Sequence, residues 1–161
     1  MHDVYVALGG NLGDPLACFA MVVKQFQEVG MIRRCSGIYL TAPQGGPAQP
    51  DYLNAVFSLE TMQSGEDLLH LGLAAEQACG RLRTVPWGPR PLDVDLLLYD
   101  DRIIKTPDLI LPHPRMHLRR FVLEPLREIA PIIYIPGRGF VESLLRQVAS
   151  QRVTRLHDWP A

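Results

Sequence analysis

An α+β fold around one sheet is predicted by three observations. Short apolar and β-branched runs of strand length alternate with longer stretches of helical periodicity, glycine, proline and aspartate punctuate the boundaries, and no internal repeat or linker interrupts the order. The chain has 161 residues, 47% of them hydrophobic and 20% charged, which suits one compact domain over 1–161 able to bury its own core.

Residues 4–8 read as a first strand that stops at Gly9-Gly10. Asp14 and Pro15 then supply an N-cap and a first-turn proline for a helix to about residue 28. Residues 32–41 read as a second strand and 52–60 as a third, separated by a loop rich in glycine and proline. Ser64 and Asp67 have the spacing of a capping box for a helix ending near Gly80. An arginine-rich loop leads to a strand carrying Asp93 and Asp95. Asp100-Asp101 turns the chain, and 102–104 is expected to pair back as a hairpin. Residues 119–130 read as a helix bent by Pro125, 132–135 as a short apolar run, and 141–150 as a last helix with Leu144, Leu145 and Val148 on one face.

A formal net charge of −1 gives no chain-wide basic signal, so any anion site must be local and a nucleic-acid coat is not expected. Lys24 and Lys105 are the only lysines; the other cations are arginines, whose planar forks suit phosphate or carboxylate. Cys18, Cys35 and Cys79 are odd in number and widely spaced, and read as reduced packing residues. Met1 leads almost directly into the first strand and no apolar run is long enough to span a bilayer, so the expectation is a cytoplasmic protein without a membrane partner.

Asp93 and Asp95 carry the strongest chemical signal. Strand side chains alternate, so both carboxylates leave one face with Cα atoms about 6.5 Å apart, and their oxygens can converge on one or two cations. Magnesium is typically held by one or two carboxylates plus substrate phosphates. Arg81, Arg83 and Arg90 lie just upstream as phosphate-binding candidates. Taken alone, an Asp-x-Asp is more often an exposed edge whose acids pair with arginines as surface ion pairs; the surrounding residues favour the metal reading.

Other motifs are weaker. Residues 9–14 form a glycine turn before a helix, but lack both the dinucleotide fingerprint and the Gly-Lys-Ser/Thr of a P-loop. Arg138-Gly139-Phe140-Val141 is half of an RNA-recognition signature without its partner aromatics. His113 and His117 are spaced i, i+4, yet Pro112 and Pro114 make the backbone extended, so His113 is expected to present one ring to a ligand and His117 to sit at the surface. Tyr52, Asn54, Trp87 and Phe121 could sandwich a flat heterocycle and read its edge, if the fold brings them together.

Together these residues resemble the 6-hydroxymethyl-7,8-dihydropterin pyrophosphokinase family over nearly the whole chain. The resemblance rests on Gly9-Gly10-Asn11, on Gln49-Pro50-Asp51-Tyr52-Leu53-Asn54-Ala55, on Gly80-Arg81-Leu82-Arg83, and on the run from Trp87-Gly88-Pro89-Arg90 to Asp93-Val94-Asp95. Pro112-His113-Pro114-Arg115-Met116 and Arg119 to Phe121 complete it. It implies a ferredoxin-like α+β sandwich, mainly antiparallel with flanking helices. The implied reaction transfers the β,γ-diphosphate of ATP to the pterin hydroxymethyl oxygen, with release of AMP.

By matching positions, Asp93 and Asp95 would hold two Mg²⁺ ions. Tyr52 and Phe121 would stack on the pterin, Asn54 would bond its edge, and Thr41 would help close that pocket. Arg81, Arg83, Arg90 and Arg119 would line the triphosphate path. Glu76, Trp87, Leu96 and His113 are expected near nucleotide or pterin, and the loop 81–90 would close over both substrates. The family default is a monomer with small-molecule partners. Gly10, Ala42, Gln44, Pro91 and Arg120 depart from the usual residues, which are serine, proline, an apolar residue, threonine and a small residue respectively. Two alternatives stay open: another two-metal nucleotide-dependent transferase, and a non-catalytic module binding RNA or a protein.

Overall fold

The computed structural model describes residues 1–43, 45–80 and 88–160. Strand β1 (His2–Gly10) enters helix α1 (Pro15–Gln27), where Asp14 accepts a hydrogen bond from Ala17 N–H at 3.2 Å. Strands β2 (Gly30–Cys35), β3 (Ile38–Thr41) and β4 (Tyr52–Thr61) follow. Helix α2 (Gly65–Ala78) starts at Ser64, whose hydroxyl accepts from Asp67 N–H at 3.1 Å; such a cap is worth about 1 kcal/mol. Strands β5 (Asp93–Tyr99), β6 (Ile104–Lys105) and β7 (Ile110–Leu111) lead to a 3-10 turn, Met116–Leu118, and helix α3 (Arg120–Ile129). A small hairpin of β8 (Tyr134–Ile135) and β9 (Gly139–Phe140), helix α4 (Val141–Gln147) and strand β10 (Thr154–His157) complete the order.

The main sheet runs β10-β3-β4-β1-β5, with β2 also on β4, and every pairing is antiparallel. Alternation sorts its side chains between two cores. Val4, Val6, Leu8, Phe57 and Leu59 pack with Phe19, Val22 and Phe26 of α1 and Leu68 of α2. On the opposite face Ala7, Val56 and Leu97 meet Val122, Leu123 and Leu126 of α3 and Leu144 and Leu145 of α4. Each fully buried large apolar side chain contributes about 1.5–3 kcal/mol. The result is the expected α+β sandwich with a mainly antiparallel sheet. No helix among the described residues is long and apolar enough to cross a membrane.

Four expectations need correction. The second strand, 32–41, is two strands, because Ser36 interrupts the ladder: its backbone N–H donates to Val56 O at 2.8 Å while its hydroxyl takes Val56 N–H at 2.9 Å. Residues 102–104 do not pair back on β5; Ile104 and Lys105 pair instead with Leu111 and Ile110. Strand β10 was not expected, and it extends the sheet by pairing with β3. Cys18 and Cys79 are joined as a disulfide between α1 and the end of α2, with Cα atoms 6.2 Å apart across a sequence separation of 61. That Cα spacing falls within bridging range. Helix packing creates the juxtaposition, which residue count and spacing do not reveal. Cys35 remains a free thiol, with burial pushing its pKa up to about 11.

Candidate active site

The cleft opens where α3 and α4 stop covering their face of the sheet. Across the three central strands, Asn54 of β4 stands opposite Gly9 of β1, and Gly9 opposite Asp93 of β5; one step along, Val56, Ala7 and Asp95 form the next row. Glycine and alanine on the middle strand leave a low floor between Asn54 and the carboxylates. A Cβ at Gly9 would already stand 3.3 Å from Asn54 Oδ1. Above this floor lies a cavity of about 640 Å³, within the size range of small-molecule sites.

Thr41, Tyr52, Asn54, Glu76, Arg90, Asp93, Asp95, His113, Arg119 and Phe121, all singled out from the sequence, line this one cavity. Leu96 lies on the other face of β5 and lines a second cavity of about 260 Å³ with Leu69, Leu109 and Ile110; Asp95, His113 and Pro114 border both. Arg81, Arg83, Trp87 and Gln44 lie outside the described residues. Arg115, not singled out, also lines the main cavity, and its place two residues after His113 was the available signal. Gly45 and Ala42 add backbone to the rim.

The acidic strand is held at its outer edge. Glu76, 3% exposed, accepts the N–H of Val94 at 2.9 Å, the residue between the two aspartates. A sheet-edge donor is thereby satisfied where a bare edge would stay open to pairing. Arg90 bonds Asp93 at 3.2 Å. Burial works to lower the Arg90 pKa, but the charge and hydrogen bond of Asp93 outweigh it, so the guanidinium stays charged.

Burial is the main cause that lowers the His113 pKa, to about 4, with Arg119 and Arg115 adding repulsion. Its Nδ1 accepts from Arg115 N–H at 3.1 Å. The ring is therefore neutral at pH 7, with its proton on Nε2 available as a donor. Arg119 is also partly desolvated, which lowers its pKa, and its guanidinium stands 5.6 Å from the Phe121 ring centre.

At the other end of the cleft, Tyr52 and Phe121 present ring surface. Burial, then the charge of Asp93, raises the Tyr52 pKa, keeping the phenol protonated; its hydroxyl donates to Gly88 O at 3.0 Å. Asn54 is 5% exposed, and its Nδ2 has no hydrogen-bond partner among the described residues. A buried donor without a partner costs about 1–3 kcal/mol, so this amide is suited to a ligand acceptor. Thr41 spends its hydroxyl on Arg152 O at 3.1 Å and shapes the wall. His117 lies apart and contacts Arg138.

Two carboxylates facing arginines beside an aromatic, amide-lined pocket make a cleft suited to a polyphosphate and a flat ring, on an α+β fold. A family model described as 7,8-dihydro-6-hydroxymethylpterin-pyrophosphokinase (HPPK) matches residues 5–131, and the chain belongs to that family. A Synechocystis 2-amino-4-hydroxy-6-hydroxymethyldihydropteridine pyrophosphokinase is 41% identical, covering 99% of this chain and 80% of the relative. The Haemophilus influenzae protein of the same name is 36% identical, covering 98% and 99%.

Among solved structures, a Plasmodium falciparum HPPK-DHPS with pteroate superposes with a TM-score of 0.72 at 13% identity, over 92% of this chain. Another HPPK-DHPS, in complex with substrates, gives 0.70 at 12% identity over the same share. This chain spans 42% and 43% of those two proteins, so the likeness concerns the fold of their corresponding part.

Proposed function

We propose that the two adjoining cavities hold ATP and 6-hydroxymethyl-7,8-dihydropterin side by side, with Asp95 at the seam and Asp93 beside it in the larger one. The protein is a pyrophosphokinase of folate biosynthesis: it moves the β,γ-diphosphate of ATP to the pterin hydroxymethyl oxygen, giving AMP and the pterin diphosphate. The observation that carries the placement is the convergence on one cavity of the acid pair with Tyr52, Phe121 and the unpartnered amide of Asn54.

The donor set fits magnesium. Asp93 and Asp95 are half-buried, leave one face of β5 and border the cleft, and Mg²⁺ takes one or two carboxylates when phosphate supplies further oxygens. These two residues would hold two ions, which supply charge neutralisation of the polyphosphate when bound. The protein's own residues do the positioning. Tyr52 and Phe121 stack on the pterin, Asn54 donates to its edge, and Thr41 closes that wall. Leu96 and its apolar neighbours in the smaller cavity receive the nucleotide base. Arg90, Arg119 and Arg115 face the polyphosphate, joined by Arg81 and Arg83; Glu76 and Trp87 complete the nucleotide side.

In the reaction, the hydroxymethyl oxygen gives up its proton to water and bonds to the β-phosphorus as the bond from that phosphorus to the α,β-bridging oxygen breaks. Charge grows on the departing AMP. Arginines fixed beforehand stabilise it without reorganising, and His113 can add a neutral Nε2–H donor. The loop 81–90 closes over both substrates in this reading. The proposal extends to one domain over 1–161 that works as a cytoplasmic monomer on small molecules.

Incubation with Mg-ATP and the pterin, followed by phosphorus NMR and mass spectrometry, tests it. Equal amounts of pterin-dependent AMP and pterin diphosphate are expected. ADP would indicate a simple kinase, and free diphosphate a nucleotidyl transferase; either would overturn the reading.

A further inference from the structure

Asn11, only 7% exposed, stands just beyond β1 and bonds in two directions. Its Oδ1 accepts the N–H of Arg90 at 2.8 Å, and its own N–H donates to Arg90 O at 2.9 Å, so both backbone groups of Arg90 are taken by one residue. Its Nδ2 donates to Gln49 Oε1 at 2.8 Å and to Pro50 O at 2.9 Å. The amide orientation is fixed, since Arg90 N–H requires an acceptor and Pro50 O a donor. Gln49 Oε1 in turn lies 3.3 Å from the Tyr52 hydroxyl, whose single proton is shared between it and Gly88 O at 3.0 Å. Next to Asn11, a Cβ at Gly10 would stand 2.4 Å from Pro91 O, so only glycine allows this approach. Gly10 and Pro91, two departures from the usual family residues, thus lie against each other.

We propose that Asn11 is a positioning residue that locks the phosphate wall, through Arg90, to the pterin wall, through Gln49 and Tyr52. It lies outside the residues lining the cleft and acts through their backbone and loops. The inference rests on the pyrophosphokinase reading. The two walls come from loops far apart in sequence, and the buried amide makes their relative placement a single hydrogen-bonded unit. A small misplacement of reacting groups can cost about 100-fold in rate.

Three variants separate the two arms, each assayed for pterin-dependent AMP formation and for thermal melting. Asn11→Ala removes both arms of the side chain. It is expected to lower kcat about tenfold or more and to raise the KM for both substrates. Asn11→Asp keeps an acceptor for Arg90 N–H but faces Gln49 Oε1 and Pro50 O with a carboxylate. It should leave the KM for Mg-ATP within about twofold while raising that for the pterin about tenfold. Gln49→Leu, a half-buried loop change, should share the pterin-selective pattern and carries the test if either Asn11 variant fails to fold. Lower melting temperatures with kcat and both KM values unchanged would overturn the proposal, as would equal effects of all three variants on both substrates. Wild-type protein without pterin-dependent AMP would instead show that the functional reading has failed, and the inference with it.

Discussion

Two acid and arginine clusters sit on this sheet and do opposite things. At one end Glu128 of α3 accepts from Gly37 N–H at 3.1 and 3.2 Å, from the Tyr39 hydroxyl at 2.6 Å and from Arg155 of β10 at 3.1 and 3.3 Å. Arg155 also bonds Asp158 at 2.7 Å. Burial alone would raise the Glu128 pKa, but Arg155, Tyr39 and Gly37 hold it below the ordinary carboxylate value. That cluster closes on itself and fastens the last strand. In the cleft, Asp93, Asp95, Arg90, Arg115 and Arg119 instead surround about 640 Å³ of space, beside a donor on Asn54 with no described partner. Like residue types therefore do not define a site. The void, and the small floor residues Ala7 and Gly9 that create it, do.

The sharpest way to break the contrast is Asp95→Ala. Turnover with Mg-ATP is expected to fall at least about 1,000-fold, with the fold largely intact. Steady-state AMP formation with a thermal melt decides it, and normal turnover would refute the metal role. Arg90→Ala follows, with about a 100-fold loss in the chemical step. Single-turnover kinetics should show a loss at least as large as that in nucleotide affinity.

Glu128→Ala should behave in the reverse sense. It leaves a partly buried Tyr39 hydroxyl and Gly37 N–H without their acceptor, costing roughly 2 kcal/mol of stability, while kcat per folded molecule stays the same. Denaturant titration beside the activity assay checks both halves; a loss of kcat in folded protein would erase the distinction between the clusters.

The smallest effect on stability at neutral pH belongs to His113. Its folded pKa of about 4 lies below the free value of 6.5. Between those values the unfolded chain binds a proton that the folded chain does not, so this group's contribution to stability falls as pH is lowered from 6.5 toward 4. Above 6.5 both forms are neutral and the contribution vanishes. His113→Gln should flatten that part of the melting profile, and an unchanged slope would contradict the burial of a neutral ring.

Much of this was legible in the sequence, for identifiable reasons. The helix starts at Asp14 and Ser64 carry capping chemistry that acts locally, and both formed. Asp93 and Asp95 stood out because charge at period two in an apolar strand is costly without a purpose. Thr41, Tyr52, Asn54 and Phe121 come from three elements, so their convergence was legible only through the family resemblance. Strand β10 escaped because all four of its residues are exposed and show no alternating pattern. The Cys18–Cys79 link and the Asn11 lock escaped because each depends on contacts made late in sequence separation. Closing a loop of that length should contribute about 4 kcal/mol at most in the chain-entropy picture, so the double serine variant should melt lower than the oxidised protein.

The most direct test of the central claim is the affinity of wild type and Asp95→Ala for a non-hydrolysable ATP analogue, titrated calorimetrically with and without Mg²⁺. Metal should tighten nucleotide binding in the wild type and have little effect in the variant. Equal Mg²⁺-dependent tightening in both proteins would contradict the assignment of the acid pair as the metal-holding group of the cleft.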